Sequence, residues 1–111
     1  MCKLCQRDSN NSREVDKSII ELIHKIRDKF HPEKIILFGS RARGDNRKSS
    51  DVDILIVGDF KERYFDRVGK ILEMNDTKYD LQPWIYSYEE FSRMENNFFL
   101  RSILKEGINL V

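Results

Sequence analysis

Apolar side chains first recur at helical spacing in Val15, Ile19, Leu22, Ile23, Ile26 and Phe30, and this predicts an amphipathic helix. Asn11 followed by Glu14 predicts its cap. His31-Pro32 predicts its end, because the residue before proline is pushed out of the helical region. "KIILF", residues 34–38, is short and apolar on both faces, as in a central strand covered on each side, and Gly39 stops it. "SRARG" leaves room for a turn or two of helix with Gly44 as its stop, and "DNRKSS" reads as a polar loop. "DVDILIVG", from Asp51, predicts a second strand. Phe60, Tyr64, Val68, Ile71 and Leu72 then predict a second amphipathic helix. After the loop "NDTK" comes a third strand, "YDLQPWIYS", in which Pro83 removes a ladder donor and favours an edge or a bulge. The remainder, "YEEFSRMENNFFLRSILKEG", predicts one final helix from Tyr88, capped by Ser87 and stopped by Gly107.

The order α-β-α-β-α-β-α, with no internal repeat or low-complexity stretch, predicts an α/β (α+β) fold: a small mixed β-sheet of three or more strands flanked by helices. A chain of 111 residues has material for one modest core. Residues 12–111 are expected to form a single domain behind a flexible segment, residues 1–11. Lys and Arg total 20 against 19 Asp and Glu, so no net field draws the molecule to nucleic acid or an anionic membrane, and no direct nucleic-acid binding is expected. No apolar run approaches the roughly 20 residues of a membrane span, and the N-terminus lacks a signal-peptide core. A soluble, cytoplasmic protein is the expectation. Cys2 and Cys5 have the spacing of half a zinc site, but His24 and His31 offer no second ligand pair, so the cysteines are read as reduced and free of metal.

Candidate chemistry begins with Asp51 and Asp53, which project from one face of a strand whose later residues are apolar on both faces. Two carboxylates in a partly desolvated place repel, and one would normally take up a proton. Divalent cations remove that conflict: magnesium takes oxygen ligands from one or two carboxylates plus substrate phosphates, and a pair of ions can clamp an in-line phosphoryl displacement. Asp80, at the start of the third strand, is the candidate third acid. It is equally readable as an exposed terminus or turn residue.

Gly39 and Ser40 stand where a strand hands over to a short helix, a corner with free backbone N–H groups that suits phosphate. A strand-ending glycine followed by a capping serine has the same appearance. Arg41, Arg43, Arg47 and Lys48 crowd this segment of an otherwise neutral chain, as expected beside a triphosphate. Other phosphate and metal motifs fail. Gly39 and Gly44 have P-loop spacing, but Asp45 and Asn46 replace the required lysine and hydroxyl residue. No G-x-G-x-x-G follows a strand, and "ILIV" after Asp53 excludes an EF-hand loop.

"GSRARGDNRKSSDVDILIV" resembles the G-S-x-A-x-G … S-D-x-D signature of the DNA polymerase β-like nucleotidyltransferases, through Gly39, Ser40, Ala42, Gly44, Ser50, Asp51 and Asp53. The small size and "YDLQPWIYSYEEF" are similar to the minimal nucleotidyltransferases (MNT proteins). The resemblance implies their fold and a two-magnesium transfer of a nucleoside monophosphate from a triphosphate to a hydroxyl, with manganese as the alternative ion and ATP as the expected donor. Asp51, Asp53 and Asp80 would be the metal-binding and catalytic residues. Gly39, Ser40, Arg41, Arg43 and Ser50 would bind the nucleotide. MNT proteins are similar to antitoxins paired with HEPN toxins, which are RNases, and some add AMP to a tyrosine of that toxin. A HEPN-type partner is therefore expected, with no expectation for homo-oligomers.

Two other readings stay open. Phe91, Met94, Phe98, Phe99, Leu100, Ile103, Leu104 and Ile108 spread round more of the last helix than one small core can cover, as in a module that neutralises a partner by contact alone. Nucleotidylation of a small molecule is the other.

Overall fold

A computed structural model describes residues 15–94 and 96–110. Helix α1, Lys17–Phe30, is followed by strand β1, Lys34–Phe38, the short helix α2, Ser40–Arg43, and strand β2, Val52–Gly58. Helix α3, Tyr64–Glu73, then leads to strand β3, Leu81–Ser87, helices α4, Tyr88–Arg93, and α5, Phe98–Glu106, and a two-residue strand β4, Ile108–Asn109. Among the described residues the strands form one mixed sheet in the order β3-β2-β1-β4. β1 is antiparallel to β2 and β4, and β2 is parallel to β3.

Alternation along the strands divides the core into two layers. Ile35, Leu37, Ile54, Ile56 and Ile85 meet Ile19, Leu22, Ile23 and Ile26 of α1 and Ile71 of α3. On the opposite face Ile36, Phe38, Leu55 and Val57 meet Leu100 and Ile103 of α5, with Phe91, Met94, Trp84 and Tyr86 packed around them. Pro83 sits on the outermost strand, where a missing N–H costs no ladder bond.

The sequence-based expectations need four corrections. Helix α1 begins at Lys17, with Asp16 as its cap: that carboxylate accepts from the Ser18 amide at 2.8 Å and from the Tyr79 hydroxyl at 2.6 Å. The expected cap, Asn11 with Glu14, lies outside the described residues, as do Cys2 and Cys5. The single final helix is two helices. The Asn97 side chain accepts from the Leu100 amide at 3.2 Å and starts a new helix, an asparagine preference that helical periodicity alone does not register. The change of direction lets both helices reach the same sheet face. Beyond Gly107 the chain adds β4, where Leu37 pairs with Ile108. Gly107 has an ordinary φ of −72°, but a Cβ there would overlap Ile36 Cγ2 and the Ile103 carbonyl, so close approach is what demands glycine.

Periodicity also placed Phe60 on α3, whereas it lies in the preceding loop and packs into the core. The inner face of α3 carries Arg67 instead, only 7% exposed. Its guanidinium donates to the carbonyls of Glu62, Ile85 and Phe60 and to Glu90 Oε1 at 2.6 Å. Glu90 also accepts from the Ser87 amide within a capping box, and these bonds hold its carboxyl below the usual range.

Arg67→Leu keeps the bulk but leaves the Phe60 and Ile85 carbonyls unpaired. A loss of about 3 kcal/mol is expected, read as a lower urea midpoint at unchanged m-value.

Candidate active site

The register of β1 against β2 builds the site. Phe38 pairs with Asp53, so the next residue, Gly39, turns away directly over the Asp53 side chain. Gly39 has φ 76° and ψ −157°, a region in which side chains other than hydrogen are strained. A Cβ there would also overlap Asp53 Oδ2. The amides that open α2 thus start beside a carboxylate. The first acceptor used within this turn is the Gly39 carbonyl, bonded by Ala42 and Arg43 at 3.1 Å, which leaves the amides of Ser40 and Arg41 ahead of the helical ladder.

Asp51 is exposed and Asp53 half-buried. Burial pushes the Asp53 carboxyl above the ordinary carboxylate range, the charge of Asp51 pushes it further, and nearby Arg43 opposes both. No hydrogen bond or ion pair from the described residues reaches the Asp53 carboxylate. Asp80 immediately precedes β3, is exposed, and accepts from the Val52 amide at 2.8 Å through its carbonyl. The parallel register, Val52 with Leu81 and Asp53 with Gln82, therefore sets Asp80 across from Asp51. The fold brings all three acids to one end of two adjacent strands. No group of three or more His, Cys, Asp or Glu side chains close enough to hold an ion occurs among the described residues, so the acids are an open pair with a neighbour and not a closed cage.

The expected phosphate-binding residues fall into two sets. Gly39 and Ser40 form the corner beside Asp53, and Arg43 is near enough to act on it while also pairing with Asp45 at 3.2 Å and Glu106 at 3.3 Å. Arg41, in contrast, is 7% exposed. It donates to the Ser50 carbonyl at 2.8 and 3.1 Å and to the Lys48 carbonyl at 3.3 Å, and lies 4.2 Å from the centre of the Tyr79 ring. Ser50 is committed to the same loop, its hydroxyl accepting from the Arg47 amide at 2.8 Å. Arg41 and Ser50 shape the segment that delivers Asp51 and Asp53, and Arg43 is the arginine near enough to act on the Asp53 charge. A separate cleft of about 510 Å3 lies between Asp16, Lys17, Arg41, Asn46, Lys48 and Tyr79 and is lined by none of the three acids. Gln82, beside Asp53 on the same sheet face and exposed, is a further neighbour of the site.

The donor set fits a hard divalent cation. It offers only carboxylate oxygens, and Asp53 is partly desolvated, repelled by Asp51 and without a hydrogen-bond donor among the described residues, a state that a cation relieves. One or two carboxylates are what magnesium needs when phosphate oxygens complete its shell.

Comparison with known proteins gives a consistent picture. Residues 19–110 match the family model described as "Nucleotidyltransferase domain". The chain is 40% identical over 97 residues to the "Putative protein adenylyltransferase MJ0604" of Methanocaldococcus jannaschii, covering 83% of this chain and 93% of that one. The crystal structure of a "putative nucleotidyltransferase" from Sulfolobus solfataricus superposes with a TM-score of 0.57 at 25% identity, covering 84% of this chain and 76% of that one. Among the described residues no helix is long and apolar enough to cross a membrane.

Because the raised Asp53 keeps its proton longer in the folded than in the unfolded state, stability falls as pH rises through the interval above the ordinary aspartate value. In metal-free buffer Asp53→Asn should therefore melt higher than wild type at pH 7. That advantage should shrink steadily towards pH 3.5, as followed by circular dichroism.

Proposed function

The chain belongs to the nucleotidyltransferase domain family, and from that membership we propose that it transfers AMP from ATP to a tyrosine hydroxyl of a partner protein, a HEPN-type toxin. The observation that carries the reading is the contact of the Gly39 corner with Asp53. A phosphate-accepting backbone and a cation-seeking carboxylate share one point, where the reacting phosphorus of a triphosphate has to lie. The relative's name, a protein adenylyltransferase, supports both the nucleotide and a protein acceptor. The HEPN partner and the tyrosine rest on the resemblance to MNT proteins.

The free amides at the start of α2 and the Ser40 hydroxyl bind the terminal phosphates. Arg43 offsets charge there, and its Asp45 and Glu106 partners hold it between α2 and α5. Asp51 and Asp53 would hold the two magnesium ions of this mechanism, and Asp80 would contribute to the one that activates the acceptor. Bound magnesium supplies Lewis-acid polarisation of the phosphoryl oxygens and lowers the pKa of the acceptor hydroxyl. Asp80, exposed across from Asp51, accepts the hydroxyl proton. The acceptor oxygen forms a bond to the α-phosphorus, the bond from that phosphorus to the bridging oxygen breaks, and pyrophosphate leaves along the Gly39-Ser40 side.

The test is incubation of α-phosphate-labelled ATP and magnesium with a lysate of the source cells. Wild type should label one protein, on a tyrosine located by mass spectrometry. Asp53→Ala should lose at least about 100-fold of the rate with an unchanged circular dichroism spectrum, and chelation by EDTA should do the same to wild type. Transfer at full rate by Asp53→Ala would sink the assignment. Gly39→Ala, strained and driven into Asp53, should lose transfer comparably and also melt lower than wild type.

A further inference from the structure

We propose that Trp84 and Phe99 form a stacking platform for the base of the donor nucleoside triphosphate, on the same sheet face as the acid pair. The inference rests on the reading above and adds what holds the nucleoside. Gln82 pairs with Asp53, and Trp84 lies two residues further along the same face. It therefore stands about 8 Å from the acid row, by strand spacing and rise. Phe38 flanks Asp53 on the other strand. Phe99 ties the two together: its ring meets Trp84 at 5.2 Å and 61°, and Phe38 at 6.0 Å and 84°.

These contacts are edge-to-face, and Trp84 is only partly buried. Leu100 and Ile103 bury the inner side of α5, whereas Phe99 remains 45% exposed and Phe98, on the same first turn, 86% exposed. Packing on the sheet does not require two exposed phenylalanines beside a polar site. A nucleotide whose phosphates occupy the Gly39 corner and whose α-phosphorus lies at Asp53 has its base one ribose away, within reach of this surface.

The other aromatic groups are worse placed. Tyr79 already has the Arg41 guanidinium against its ring. Tyr64 and Phe65 cluster with Tyr86, opposite Val57 and further from the acids along β3 than Trp84. Stacking on ring faces is tolerant of base identity, so the platform favours purines by area without selecting among them by hydrogen bonds.

Trp84 is the chain's single tryptophan, so its fluorescence reports directly. The experiment titrates the full chain, in magnesium, with ATP and separately with inorganic tripolyphosphate, for wild type, Phe99→Leu and Phe98→Ala. Calorimetry supplies the affinities. Expected are quenching by ATP and not by tripolyphosphate, and a Kd for ATP raised at least about fivefold in Phe99→Leu, with tripolyphosphate affinity unchanged. Phe98→Ala alters no ring contact of Trp84 and keeps the test open if Phe99→Leu folds poorly; a weaker loss, also confined to ATP, is expected. If ATP and tripolyphosphate bind equally well and both variants leave ATP affinity unchanged, the platform is wrong while the transferase reading stands. If neither ligand binds wild type, both fall.

Discussion

The Asp53 carboxylate lies against the backbone of Gly39, on a sheet face that Leu55 and Val57 carry into the core. Each element of the site answers to this one approach. It requires glycine at position 39, because any side chain would be strained and would occupy the carboxylate's place. It requires the antiparallel register that pairs Phe38 with Asp53, because a slip of one residue would turn the acid to the opposite face. It also leaves a desolvated negative group beside another, with no donor among the described residues to stabilise it. The fold tolerates this unfavourable charge where a cation and a polyphosphate can resolve it.

Two buried arginines hold the frame around that point by the same physical means. Arg41 gathers the carbonyls of Lys48 and Ser50 and stacks on Tyr79, so the loop between α2 and β2 enters the strand with Asp51 and Asp53 correctly placed. Arg67 gathers the carbonyls of Phe60, Glu62 and Ile85 together with Glu90, joining α3, the end of β3 and α4. In both cases a delocalised cation with several donors satisfies backbone acceptors that would otherwise be buried without partners. Crowding of basic residues near the Gly39 corner thus has two origins: Arg43 lies near Asp53, and Arg41 is consumed by the scaffold.

Helical and alternating periodicity sufficed to locate α1, the three long strands and most of α3, because those patterns follow from burial on one face. The edge position of β3 followed from Pro83. Where the reading failed, a local competitor outweighed periodicity. Asn97 started a new helix inside an apolar pattern, Arg67 took an inner position usually left to apolar residues, and β4 was too short to carry any alternation. The excess apolar surface assigned to one terminal helix divides into Phe91, Met94, Leu100 and Ile103, which pack on the sheet, Phe99, which is half-exposed with its ring against Trp84 and Phe38, and Phe98 and Leu104, which stay exposed.

By itself the sequence determined the candidates for the chemistry: a glycine-serine corner, two acids at a spacing that puts them on one strand face, and a third acid before a later strand. Those are local properties, fixed by backbone conformation and the two-residue period. Tertiary structure alone decided that the corner touches Asp53, that Asp80 stands across from Asp51, and that Arg43 and not Arg41 is the arginine near Asp53. Each of these depends on strand register and on which carbonyls burial leaves without partners, and both are set by contacts between residues far apart in the chain.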